Sequence, residues 1–196
     1  LAVVAYRTVV YFQLQYITAA LIGNHVPRGV NATCLELGIG GGRNLYYYPN
    51  DIKGVIGVDS KSNPELLQKT AEKCFQSVQL IESPTAAADT WGKKVATASV
   101  DCVVSIQTDG ASAKVLAEVA RVLRPGGKLI FVEPGDSLLT AIANSTDFLK
   151  SEVDDGWLSG PLNKTAIGVA IRAGSPVEAE QPGPSRGKPS KPQGFK

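Results

Sequence analysis

The chain has 196 residues, of which 43% are hydrophobic and 19% are charged, and its formal net charge is +2 at pH 7. These values fit one globular domain with an ample core, and they exclude a fibrous or wholly disordered chain. The positive excess lies after Gly174, so the body of the chain is formally neutral and we expect no nucleic-acid partner.

The first predicted element is an N-terminal helix over residues 1–22. This segment is mostly apolar, but Arg7, Gln13 and Gln15 interrupt it, so we expect a helix that packs on the domain and does not span a membrane. The alternative is peripheral contact of residues 1–22 with a membrane surface, because the segment is rich in aromatic residues. The chain begins at Leu1 and contains no methionine, so we expect either a removed initiator or a fragment in which a targeting segment could also be missing.

A glycine-rich turn follows the polar break at residues 23–25, where we expect His25 to lie in a turn. Residues 32–35 predict a buried strand, and Glu-Leu-Gly-Ile-Gly-Gly-Gly at 36–42 predicts a sharp turn that opens a helix. Glycines let the backbone approach a ligand where any Cβ would collide, and the N–H groups of the following helix start face that ligand. The stretch therefore predicts a site for a nucleotide-like cofactor.

Beyond this turn, short β-rich runs alternate with helical ones, as in an open, mostly parallel α/β sheet with helices on both faces. Two further β-rich runs, 148–154 and 165–172, predict an antiparallel pair at the edge of the sheet. The other predicted strands are 33–37, 54–58, 78–81, 100–106 and 128–133, and the predicted helices are 43–48, 64–75 and 113–123.

Two acidic residues near the turn indicate what kind of cofactor it holds. Asp59 follows the second predicted strand, about twenty residues after the turn, where a carboxylate can accept both hydroxyls of a ribose. The alternative is an ordinary helix-capping Asp. Arg43 replaces the third glycine of a dinucleotide motif, and Glu36 precedes the first glycine. A carboxylate there suits a ligand with a free ammonium group and repels a pyrophosphate.

Four blocks of the sequence resemble the class I methyltransferases that use S-adenosylmethionine, in particular the type 11, ubiquinone-biosynthesis-like branch. The blocks are residues 36–42, 57–59, 99–105 and 116–129, and together with the run 166–171 the resemblance covers roughly residues 30–172. It implies a Rossmann-like, doubly wound, mostly parallel seven-stranded sheet with an antiparallel edge strand. It also implies methyl transfer from S-adenosylmethionine to a small-molecule acceptor.

The same resemblance implies which residues contact the cofactor. Glu36 would help to hold its amino end, Asp59 would take the ribose hydroxyls, and Ser60 would lie beside the adenine. Asp89 is the best positional match for an acid that contacts the adenine amino group, with a surface helix cap as the alternative. Residues 105–107 would lie close to the methyl group. The predicted cofactor-binding residues are Glu36, Gly38, Ile39, Gly40, Gly42, Asp59, Ser60, Asp89, Ser105 and Ile106.

The acceptor side of the chain departs from this family. Methyl transfer from a sulfonium is an in-line displacement that needs alignment and exclusion of water, so the sequence identifies no catalytic residue. The loop 106–112 and the segment 135–147 are both short for the family, although the neutral body and the aromatic N-terminal helix favour an apolar acceptor. An inactive relative that keeps the cofactor pocket as a binding module therefore stays open, as does an NAD-type oxidoreductase.

The cysteines predict neither a metal site nor a disulfide framework. Cys34, Cys74 and Cys102 lack the paired spacing that either would need. We therefore expect reduced thiols, with Cys34 and Cys102 in the core, no metal, and an intracellular reducing compartment. Association with an organelle or a membrane surface is the alternative for its location.

The predicted organisation has three parts. The end of the chain is rich in Pro, Gly, Ser and Lys and has almost no apolar residues, which predicts disorder. We therefore expect an N-terminal helix and connection over residues 1–29, a methyltransferase domain over 30–172, and a disordered tail over 173–196.

Overall fold

A seven-stranded sheet organises the residues that the computed structural model describes, which are 2–108, 112–153 and 165–174. The strands stand in the order β3-β2-β1-β4-β5-β7-β6; the first five along the chain are parallel, and β7 runs antiparallel between β5 and β6. The predicted fold class is therefore confirmed. The strands are β1 Thr33–Leu37, β2 Gly54–Val58, β3 Val78–Ile81, β4 Val100–Ile106, β5 Leu123–Pro134, β6 Phe148–Val153 and β7 Thr165–Arg172.

The four predicted helices are present in the predicted order, although several of their ends differ, and the structure has further short helices at Ala88–Trp91, Gly92–Lys94 and Ser137–Ala143 that the sequence did not predict. The predicted helix 43–48 is a 3₁₀ helix over Arg43–Tyr47. The first helix continues to His25, so the prediction of a turn at that residue is wrong. Strand β5 begins at Leu123, because that residue already pairs with Val100 before a bulge. The α-helices are α1 Ala2–His25, α2 Pro64–Lys73, α3 Ala88–Trp91, α4 Ala113–Val122 and α5 Ser137–Ala143.

The two faces of the sheet bury different helices, because successive side chains of a strand point to opposite faces. On one face Leu35, Val103 and Phe131 pack with residues of α3, α4 and α5. On the other face Cys34 and Cys102 lie in a cluster with residues of α1, α2 and the 3₁₀ helix. The three cysteines are free and buried, as predicted for Cys34 and Cys102.

Helix α1 packs on the sheet with its carboxyl-terminal half and exposes aromatic side chains on its amino-terminal half. Leu14, Ile17 and Leu21 contact the cluster formed by Val132 and Ile167. Among the side chains of the helix whose burial the structure describes, the exposed large hydrophobic ones are Tyr6, Val9, Tyr11, Phe12 and Tyr16. Within the described ranges, no helix is long and apolar enough to cross a membrane. The predicted disorder after residue 174 and the predicted strand end at residue 154 lie outside the described residues.

Candidate functional site

The glycine turn after β1 lies at the carboxyl edge of the sheet, next to the end of β2. Gly38 N donates to Val58 O at 2.7 Å, and Gly42 N donates to Ile39 O at 2.9 Å, so backbone hydrogen bonds hold both ends of the turn. Gly38, Gly40 and Gly42 have φ angles of 71°, 53° and 80°. These values lie in the left-handed region, which glycine adopts without the strain that a side chain would add.

The three glycines differ in the space around them. A Cβ added to Gly42 would lie 2.8 Å from the Leu45 side chain, and one added to Gly38 would lie 2.9 Å from Thr108 Cγ2. A Cβ added to Gly40 would meet no atom of the chain within 4 Å. Packing therefore requires glycine at 38 and 42, whereas the backbone at Gly40 borders open space that a ligand can enter.

Asp59 is held against this open part of the turn. Its Oδ2 accepts a hydrogen bond from Gly40 N at 2.9 Å, and its Oδ1 accepts one from Lys61 N at 2.7 Å. Ser62 Oγ donates to Gly40 O at 2.5 Å, so the segment between β2 and α2 also holds the turn in place. Each carboxylate oxygen can accept more than one hydrogen bond, and Asp59 therefore keeps acceptor capacity for a ligand hydroxyl. Ser60 is exposed beside it.

Glu36 is a buried carboxyl group with one oxygen left unbonded. Its side chain is 1% exposed, and Asn44 Nδ2 donates to its Oε1 at 2.8 Å. In the part of the chain that the structure describes, Glu36 Oε2 and the Tyr48 hydroxyl are both buried and neither has a hydrogen-bond partner. Burial raises the pKa of Glu36 to about 7, and the Asn44 amide and the Tyr48 hydroxyl limit that rise. The carboxyl group can therefore still accept a hydrogen bond from a ligand donor.

The last two side chains of β4, Ser105 and Ile106, lie on opposite faces of the sheet. Ser105 points toward Glu133, which is 0% exposed, and Ser105 Oγ donates to Glu133 Oε1 at 2.6 Å. Ile106 lies on the opposite face, beside residues of α1. Gln107 is exposed and has a φ of 53°. Of the residues predicted near the methyl group, Ser105 is thus engaged inside the protein, whereas Gln107 is accessible.

Asp89 lines a cavity that none of the other predicted cofactor-binding residues lines. It is an exposed residue of α3 and lines a cavity of about 460 Å³ together with Lys93, Glu118 and Arg121. No residue of the glycine turn lines this cavity, nor does Asp59. The adenine contact of Asp89 stays a prediction.

The sequence did not predict three residues that belong to this region. They are Asn44, which donates to Glu36, and the pair Thr108 and Glu133, which are hydrogen-bonded to each other. One signal was available, because Glu133 is the only charged residue in the apolar run 129–133 at the end of a predicted strand. A carboxylate in such a position needs buried partners.

Comparison with known sequences identifies related proteins over the central part of the chain. Residues 35–131 match a family model described as a methyltransferase domain. A segment of 111 residues is 40% identical to thiol S-methyltransferase TMT1B of Mus musculus; the match includes 53% of this chain and 43% of that relative. The chain therefore spans less than half the length of this curated relative. These matches confirm the resemblance predicted from the four sequence blocks.

Comparison with solved structures supports the fold alone, because the sequence identities are low. The cyclase SpnF superposes with a TM-score of 0.61 at 16% identity, over 81% of this chain and 80% of that chain. Geranyl diphosphate C-methyltransferase from Streptomyces coelicolor, in complex with Mg²⁺, geranyl diphosphate and S-adenosyl-L-homocysteine, superposes with a TM-score of 0.58 at 12% identity, over 79% of this chain and 75% of that chain.

Proposed function

We propose that this protein transfers a methyl group from S-adenosylmethionine to a small, apolar acceptor. The premise is that residues 35–131 match a methyltransferase domain. The observation that carries this proposal is the glycine turn, where the Asp59 carboxylate accepts the Gly40 N–H beside open space. This arrangement offers a ribose-bearing ligand both a hydrogen-bond acceptor and room to approach the backbone.

The residues present fit this cofactor. The unbonded oxygen of Glu36 suits the ammonium group of a methionine moiety, because a buried carboxyl group gains most from a charged donor. The acceptor capacity that Asp59 retains suits ribose hydroxyls. S-Adenosylmethionine supplies a methyl group that its sulfonium already activates. Because the methyl group is already activated, the chain has to hold the acceptor in line with it and to exclude water.

Apolar side chains near the end of β4 favour an apolar acceptor. Ile106 is the last residue of β4, and it lies in one cluster with Leu14 and Ile17 of α1. Helix α1 therefore supplies an apolar wall at this edge of the sheet, close to the exposed Gln107. The name of the mouse relative makes thiols the first acceptor class to test.

Calorimetry and a turnover assay test the proposal. We expect the purified chain to bind S-adenosylmethionine and not NAD, and to release S-adenosylhomocysteine with at least one member of a panel of apolar thiols, phenols and quinols. Because Glu36 disfavours a pyrophosphate, binding of NAD alone would contradict the cofactor assignment.

The alternative is a binding module that keeps the cofactor pocket without transferring a methyl group. It stays open because the same fold is shared by SpnF, which is described as a cyclase, so the fold by itself does not specify the reaction. Tight binding of S-adenosylmethionine without turnover on the whole panel would favour this alternative.

We also propose that the exposed strip of α1 contacts a membrane surface peripherally. Tyr6, Val9, Phe12 and Tyr16 follow one another at helical spacing, and the residues of α1 include no acidic side chain. We expect the double variant Phe12→Ser and Tyr16→Ser to lose at least half of its sedimentation with anionic vesicles. Phe75→Ser is the matched control, because Phe75 is 84% exposed but lies outside the strip. Equal sedimentation of the wild-type chain and the double variant would contradict the contact.

A further inference from the structure

We propose that Glu133 is a positioning residue, which fixes the segment after β4 beside the glycine turn and so sets the place of Gln107 at the acceptor side. The inference rests on the proposed function for its catalytic consequence. Its structural part, a buried carboxylate that holds a loop, stands on hydrogen bonds within the chain alone.

Several donors converge on the Glu133 carboxylate. Thr108 Oγ1 donates to Oε1 at 2.7 Å, and Thr108 N donates to Oε2 at 3.0 Å. Ser105 Oγ donates to Oε1 at 2.6 Å. The two donor residues belong to the end of β4 and the segment after it, whereas Glu133 belongs to β5. The carboxylate therefore links two neighbouring strands at the point where one of them ends.

These hydrogen bonds enclose Gln107, which lies between the two donor residues. Gln107 has a φ of 53°, a left-handed conformation that is strained for a residue with a side chain. The N–H of Gln107 donates to Val132 O at 2.8 Å. The hydrogen bonds of Ser105 and Thr108 to Glu133 fix the backbone on either side of it. The contacts around Gln107 thus maintain its strained backbone, and its side chain is exposed at the end of β4.

Thr108 extends this link to two further parts of the site. Its methyl group packs against the glycine turn, since a Cβ added to Gly38 would lie 2.9 Å from Thr108 Cγ2. Its carbonyl oxygen accepts a hydrogen bond from Thr85 Oγ1 at 3.4 Å, and Thr85 O in turn accepts one from Trp91 Nε1 at 2.9 Å. Loss of the Glu133 carboxylate therefore releases Thr108 from its strongest partner while the turn itself keeps its backbone hydrogen bonds.

Three variants separate a positioning role from general support of the fold. Glu133→Gln keeps the size of the side chain but places an amide NH2 or a carbonyl where Thr108 requires acceptors on both oxygens. Thr108→Val keeps the shape and removes one hydroxyl donor. Thr108→Ser keeps the hydroxyl and the N–H and is the conservative control. Glu65→Gln is a second control, because that side chain is 78% exposed and pairs only with Lys69 among the described residues.

Amide hydrogen exchange of the unliganded chain tests the structural part. In Glu133→Gln we expect exchange at Thr108 and Gln107 to accelerate about 10-fold or more, because a hydrogen bond to a charged group is lost. Amides of β1 and β2 should exchange as in the wild type. Unchanged exchange at Thr108, or an equal acceleration throughout the sheet, would overturn the inference whether or not the chain binds a cofactor.

Steady-state kinetics with the acceptor found in the turnover panel tests the catalytic part. We expect Glu133→Gln and Thr108→Val to lower kcat about 10-fold while the KM for S-adenosylmethionine changes less than about 3-fold, and we expect Thr108→Ser to retain a higher kcat than Thr108→Val. Local acceleration of exchange with an unchanged kcat would overturn the positioning role. A wild-type chain that binds no S-adenosylmethionine would contradict the proposed function instead, and the exchange result would still decide the structural part.

Discussion

Replacing Glu36 with glutamine is expected to weaken S-adenosylmethionine binding about 10-fold or more and, at pH 8, to make the unliganded protein more stable by on the order of 3 kcal/mol. Binding weakens because glutamine carries no charge for the cofactor ammonium group. Stability rises because glutamine accepts the Asn44 hydrogen bond without placing a charge in a fully buried site. Calorimetric titration and urea unfolding measure the two effects.

The stability effect depends on pH in a defined direction. Burial raises the pKa of Glu36 from its ordinary value of 4.5 to about 7, so the folded chain holds this proton more tightly than the unfolded chain. The stabilising contribution of the protonated group is therefore fully present below pH 4.5 and is lost as the pH rises to about 7. Glu36→Gln should match the wild type in stability near pH 4.5 and exceed it increasingly up to pH 7.

Glu65→Gln is the control, since it removes an exposed carboxylate of α2 that pairs with Lys69. We expect it to change neither cofactor affinity nor the pH dependence of stability. A constant stability difference between Glu36→Gln and the wild type from pH 4.5 to 8 would contradict the raised pKa. Unchanged affinity for S-adenosylmethionine in Glu36→Gln would instead contradict the assignment of this carboxyl group to the ammonium group.

The strands could be predicted closely because their signals are local. Strands β1 and β2 begin and end where the sequence predicts, since apolar runs are bounded by glycines or polar residues on both sides. The end of α1 could not be predicted in this way. Gly23 and Asn24 disfavour a helix by themselves. The helix nevertheless continues to His25, because Ile22 and Val26 are buried against the sheet.

In the candidate site, too, residues with a local sequence signal could be predicted, whereas contacts between distant residues could not. Glu36, Gly40 and Asp59 follow from the sequence because each directly flanks or forms the turn between a strand and the next element. The hydrogen bonds of Glu133 could not be predicted, because they join residues 25 and 28 positions apart through the pairing of β4 with β5. The direction of Asp89 depends on how a four-residue helix is placed, and no periodicity fixes that.

Gly40→Ala is expected to reduce S-adenosylmethionine binding at least 10-fold while lowering the free energy of unfolding by only about 1–2 kcal/mol. The φ angle of 53° strains alanine moderately, but the new Cβ enters open space and contacts no atom of the chain within 4 Å. The same Cβ fills room that the proposed cofactor needs beside the backbone. Binding should therefore suffer far more than folding does.

Gly42→Ala is the matched comparison, because its Cβ points into packed protein. At a φ of 80° this Cβ would lie 2.8 Å from Leu45 Cδ1 and 2.9 Å from Leu67 Cδ1, so strain and overpacking add. We expect a loss of about 2–4 kcal/mol in the free energy of unfolding, larger than that of Gly40→Ala. Denaturant unfolding and calorimetric titration of both variants make the comparison. If Gly40→Ala bound S-adenosylmethionine as tightly as the wild type, the open space at Gly40 would not be the place where the cofactor meets the turn.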